Sequence, residues 1–164
     1  MNGSKYNIVA IIGLVALVVF LILPLVSASM GGTEIMAPKG LDYVLGETEV
    51  TFLGETRTIE IDLKLGIILI IVSAVVVVIG AFKRIKKLSF ISAIVGGLIV
   101  LANIGSAAEE FANLGAGASA SVGLGMWIPL ICFIAAAVLS LMADKEASAS
   151  VVAEEAPQQF NQQF

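Results

Sequence analysis

The sequence has no histidine and one cysteine, Cys132. It therefore lacks imidazole ligands for the common zinc and haem sites, the Cys-His pair of nucleophilic catalysis, and any internal disulfide. Charge is scarce too: Asp, Glu, Lys and Arg make up 13% of the residues, against about 25% in soluble domains. What fills the space is apolar. Hydrophobic residues account for 59% of the 164 positions, which places the chain among membrane proteins. The formal net charge of −4 matters less as a total than by the side of the membrane on which each charge falls.

Four apolar stretches, residues 7–29, 65–82, 88–108 and 122–143, each approach the length that crosses a hydrocarbon core of about 30 Å as a helix. The second, "LGIILIIVSAVVVVIGAF", is rich enough in Ile and Val to pass for a buried strand in water. In lipid an open strand leaves its backbone unpaired, so a helix is expected. Its 13 Leu, Ile, Val and Phe residues contribute roughly −4 to −8 kcal/mol to insertion.

Charge placement orients the spans. "KRIKK" between spans two and three supplies Lys83, Arg84, Lys86 and Lys87 with no acid among them, and the positive-inside rule puts this topology anchor in the cytoplasm. The segment between spans one and two has three basic residues (Lys39, Arg57, Lys64) against seven acidic ones, Glu34, Asp42, Glu47, Glu49, Glu55, Glu60 and Asp62. That segment is expected outside. Four crossings then leave both termini in the cytoplasm of a multi-pass protein of the cell membrane, in agreement with Lys5 at the start of span one. A rival reading takes Lys5, the apolar run, Pro24 and "VSAS" as a signal peptide cleaved after Ala28, leaving three spans behind an acidic outer segment.

Span three places Ser89, Ala93 and Gly97 at steps of four, with Ser92 and Gly96 one residue behind. Small residues on one face let helices approach closely in lipid, either within one bundle or between copies. Asn103 is expected to bond a neighbouring helix, and Glu109 and Glu110 fall just outside the span. The low-complexity "LGAGASASVGLG" after Asn113 reads either as a flexible outer loop or as a closely packed crossing. Span four opens with Trp127 at the interface and Pro129 in its first turn, where the missing N–H is tolerated. Cys132 within that span reads as a small hydrophobe. Residues 1–143 thus form the membrane domain, and residues 144–164 a disordered cytoplasmic tail.

The stretch "LGETEVTFLGETRTIEID" carries Leu-Gly-Glu-Thr twice. If Gly46-Glu47 and Gly54-Glu55 are two-residue turns, residues 41–62 fold into a three-stranded meander, with Val50 opposite Ile59, Phe52 opposite Arg57 and Glu49 opposite Glu60. The two-residue strand period gathers Leu41, Tyr43, Val50, Phe52, Ile59 and Ile61 on one face. The like charges of Glu49 and Glu60 are expected to force a bulge, splay into water, or share a cation. The fold class expected is a membrane all-α four-helix transmembrane bundle with a small extracellular antiparallel β-meander between helices 1 and 2. The apolar face is covered either by the outer helix ends near Ala107 to Ala118 or by another subunit.

Four spans, inside termini, a sheet-forming first outer loop, a short basic inner turn and a small second outer loop resemble the claudin-like tetraspan proteins. The likeness is one of layout, since the Trp and Cys of the claudin first loop are absent between Gly31 and Asp62. It implies side-by-side association through the outer sheet.

The expected role is a non-enzymatic, structural one: a homo-oligomer, or a complex with another membrane protein, held by that sheet face and by Ala93, Gly96 and Gly97. No cofactor, metal or nucleic acid is called for, the lipid bilayer being the one partner that composition demands. A small channel, or an accessory subunit of a membrane transport complex, is the alternative. It has little polar material to work with, because no ionisable residue lies well within a span.

Overall fold

Pro24 sets the end of the first helix, because the residue before a proline is pushed out of helical geometry. In the computed structural model, which describes residues 3–112 and 118–155, the elements run α1 (Gly3–Ile22), β1 (Val26–Met30), β2 (Thr33–Met36), α2 (Gly40–Leu45), β3 (Glu47–Phe52), β4 (Glu55–Glu60), α3 (Leu65–Phe82), α4 (Lys86–Ala112), β5 (Ala118–Val122) and α5 (Leu124–Glu155). Among the described residues, four helices are long and apolar enough to cross a membrane, in windows Lys5–Ile22, Leu65–Phe82, Lys86–Ser106 and Leu124–Met142.

The four long helices close into a ring, with α1 and α4 each packed against both α3 and α5. Val9, Phe20, Ile70, Val77, Val100 and Phe133 fill its centre. Around the outside run exposed apolar side chains, among them Ile11, Leu14, Ile22, Ile91, Leu98, Leu101, Ile131 and Ile134. In water so continuous an apolar girdle would drive association. In hydrocarbon it is the surface a spanning bundle needs, and the chain is a membrane protein.

Small residues let the ring close. On α4, Ser89, Ala93, Gly96 and Val100 are buried, and the bare backbone of Gly96 receives the Phe133 ring from α5. Asn103, expected to bond across helices, donates its amide N–H to Ile99 O of its own helix at 2.8 Å and lies against Gly66 of α3.

The sheet departs from the three-stranded meander expected over residues 41–62. It has five strands in the order β4-β3-β2-β1-β5; β3 and β4 lie within 41–62, whereas β1 comes from the end of the expected span one, β2 from the residues just after it and β5 from the low-complexity segment before span four. β1 pairs with β5 over Val26↔Val122, Ser27↔Ser121, Ala28↔Ala120 and Ser29↔Ser119, so "VSAS" meets its own mirror sequence. The Ser29 and Ser119 hydroxyls hydrogen-bond at 2.8 Å.

Residues 41–45 are helical, because two local bonds favour a single helical turn over a strand. The Lys39 N–H donates to Asp42 Oδ2 at 2.9 Å, closing the start, and the Gly46 N–H donates to Asp42 O at 2.8 Å with Gly46 left-handed at the end. At the far end α5 continues past the expected span limit at 143 to Glu155, in keeping with the alanines and glutamates of that stretch. Residues 156–164, the rest of the expected tail, lie outside the described residues.

Candidate interaction surface

Two non-glycine residues among those described have left-handed backbones: Leu53, with φ 51°, and Arg84, with φ 54°. They flank α3 at opposite ends. Leu53 precedes the helix at the tip of the β3–β4 hairpin, and Arg84 follows it in the basic turn.

The hairpin closes through Leu53-Gly54, with Phe52 paired to Glu55. Gly54 has φ 84°, so both central residues are left-handed, which is the twist-matched turn that Asn-Gly fills best. The expected turn centre lay one residue later. The observed register is therefore Val50↔Arg57, Thr48↔Ile59, Glu49↔Thr58, Thr51↔Thr56 and Glu47↔Glu60.

Because the partners moved by two, each residue keeps its face. Val50, Arg57 and Ile59 still share one side, as the strand period requires. Glu49 is relieved of its acidic partner, while Glu47 now faces Glu60. On the opposite side Thr51 and Thr56 join hydroxyls at 3.0 Å.

The expected apolar face is divided. Val50 and Ile59 join Leu53, Glu55 and Arg57 around an open concavity of about 430 Å³. Leu53 is 90% exposed. Tyr43 is buried in the core cluster and Ile61 packs against it, whereas Leu41 lies exposed on α2 beside Val44 and Leu45. Phe52 ends β3. Ala93, Gly96 and Gly97 are buried inside the bundle, against the Phe133 side of α5 for the two glycines.

Leu53 was missed as a site residue because the turn was expected at Gly54-Glu55, which made Leu53 a strand residue in phase with Glu49 and Thr51, away from the apolar face. The available signal was an apolar residue standing where Asn is best.

β4 is an outer strand of the sheet and every residue in it is exposed. Arg57 bonds Glu55 two residues back along the strand at 3.0 Å, with both side chains largely in solvent. A second groove, of about 580 Å³, is lined by Glu34, Lys39, Asp42, Glu47, Glu49 and Thr48 among others. Asp42 is already engaged there by the Lys39 N–H and by the Thr48 hydroxyl at 3.3 Å. Among the described residues no three His, Cys, Asp or Glu side chains are grouped to hold a metal ion.

The basic turn is built as a helix terminus of the Schellman type. Ile85 N–H donates to Gly80 O at 2.8 Å and Arg84 N–H to Ala81 O at 3.0 Å, with Arg84 in the left-handed position that glycine usually takes. Lys83, Arg84 and Lys87 are exposed and Lys86 is half-buried. No protein-family model and no characterised protein matches this sequence at a significant level.

Proposed function

We propose that this chain is a non-enzymatic membrane protein that assembles through its outer sheet, in the cell membrane, with the sheet outside and both termini in the cytoplasm. One observation carries the reading. Leu53 breaks two local rules at once, holding a left-handed backbone that costs a non-glycine residue about 1–2 kcal/mol while presenting a branched apolar side chain to water. Strain of this sort collects where a residue has work beyond folding. Leu53, at the hairpin tip, lines one open concavity with Val50 and Ile59, beside an edge strand whose backbone is open to a partner.

The orientation rests on the four positive charges past the other end of α3, attracted to the cytoplasmic face. One of the four, Arg84, occupies a left-handed position that glycine usually takes. The likeness of layout to claudin-like tetraspans favours the same outward sheet. The small residues of α4 are engaged in packing within the bundle, so the hairpin rather than Ala93, Gly96 and Gly97 is assigned the assembly role.

The test pairs wild type with Leu53→Asn in mild detergent, by native mass spectrometry and crosslinking. Asparagine suits the turn and removes the apolar tip. The variant is expected to be as stable as wild type or more so, yet to lose most of the oligomer. A strictly monomeric wild type, or a variant that associates undiminished, would overturn the proposal.

A further inference from the structure

In a two-residue hairpin the pair that closes the turn, here Phe52 and Glu55, exchanges both backbone hydrogen bonds. Counting along β4, Glu55, Arg57 and Ile59 direct their N–H and C=O groups inward to β3. Thr56, Thr58 and Glu60 direct theirs outward from the end of the sheet. Building on the assembly reading above, we infer that the occupant of this edge is β4 of a second copy of the chain, paired antiparallel about a two-fold axis at Thr56.

The choice of partner and register comes from charge. Opposed residues in a sheet share a face, so two identical strands related by a two-fold axis place odd numbers against odd and even against even. A single residue then lies on the axis.

With Glu55 or Arg57 on the axis, a charge meets its own image, which is unfavourable. With Thr58 there, Arg57 faces Ile59 of the second copy; with Ile59 there, Arg57 faces Ile61. Only Thr56 on the axis sets Glu55 opposite Arg57 of the second copy and Arg57 opposite its Glu55, with Ile59 reaching the Leu53 tip. Glu55, Arg57, Ile59 and Leu53 are the residues that, with Val50, line the concavity on this face.

The ion pair now made within one strand at 3.0 Å is exchanged for two across the axis. The outward backbone of Thr56 meets its own image as a hydrogen-bonded pair. This is strand addition, in which main-chain bonds bring the copies together and side chains choose the register. A contact this short is below the area of a stable interface between free proteins. Confinement in one bilayer raises the effective concentration that makes it sufficient.

Single cysteines at 56, 57, 58 and 59 in full-length Cys132→Ala protein, oxidised mildly in membranes, test the register. Thr56→Cys alone has its Cα near 5.5 Å from its copy, and is expected to give roughly tenfold more disulfide-linked dimer than Thr58→Cys or Ile59→Cys. In the Thr56→Cys background, Arg57→Glu should abolish the dimer, and adding Glu55→Arg should restore it.

Equal or greater dimer at 58 or 59, or no rescue by the double charge swap, overturns the Thr56 pairing. Amine-reactive crosslinking of the wild type separates the two ideas. Oligomers captured that way with no Thr56→Cys dimer overturn this pairing and leave outer-sheet assembly standing, whereas monomers throughout overturn both.

Discussion

Phe133 of α5 rests its ring on the backbone of Gly96 in α4, so close that a β-carbon on Gly96 would fall 2.7 Å from two ring atoms. Phe133 is fully buried in the core cluster that also holds Val77, Val100 and Ala136, and on its other side the same β-carbon would meet Ser73 Cβ at 3.0 Å. Gly96→Ala should therefore destabilise the bundle by about 1–3 kcal/mol through overpacking. Phe133→Ala should lose about 3–5 kcal/mol through the cavity it leaves. The double variant should fall short of the sum, because the two residues share one contact. Thermal unfolding in detergent micelles measures all three.

Arg84 holds the left-handed position of the basic turn. Arg84→Gly removes that strain and should raise stability by about 1 kcal/mol, while taking one positive charge from the turn. Arg84→Val, β-branched in the same conformation, should do the opposite. Melting temperature separates these outcomes, and unchanged stability in both variants would show that the left-handed turn is not maintained in the membrane.

Glu47 and Glu60 stand opposite one another at the base of the β3–β4 hairpin. Like charges in that relation are unfavourable, so Glu60→Lys should stabilise the hairpin by about 0.2–1 kcal/mol, less at high salt. Slower amide hydrogen exchange in residues 47–60 is the expected observation.

Gly123 joins β5 to α5 at a point where the backbone of Pro24 leaves no space for a β-carbon, and its N–H donates to Leu25 O at 2.8 Å. Gly123→Ala must push two backbones apart. Loss of amide protection in residues 26–30 and 118–122 together, with β3 and β4 unaffected, is the predicted pattern.

The long helices were legible because lipid leaves an apolar run of this length little else to be, and the small residues of α4 announced a close approach. Their destination, the inside of one bundle, followed only once Phe133 was seen on Gly96. The hairpin faces were legible from the strand period and survived the shift in turn centre, since Gly54 serves as the second rather than the first turn residue. The helix over 40–45 was not: Leu41, Val44 and Leu45 have the i, i+3, i+4 spacing of a helix, but Leu41, Tyr43 and Leu45 fit the strand period equally well over so few residues, and Asp42 decides the matter through two local bonds. Least legible was the pairing of β1 with β5, between segments some ninety residues apart in chain order, as the Ser29–Ser119 bond illustrates. Its one trace was "VSAS" matched against "SASV". Leu53 shows the same limit at the candidate site: its exposure and its backbone become meaningful only together.

The most direct measurement asks on which side of the bilayer the two ends of α3 lie. In Cys132→Ala protein, Leu53→Cys and Lys87→Cys are each treated in intact cells with a membrane-impermeant maleimide, before and after permeabilisation. Leu53→Cys should be labelled at once and Lys87→Cys only after the membrane is opened. Labelling of Lys87→Cys from outside, or of both positions from the same side, would contradict the four-span arrangement and the outward sheet that depends on it.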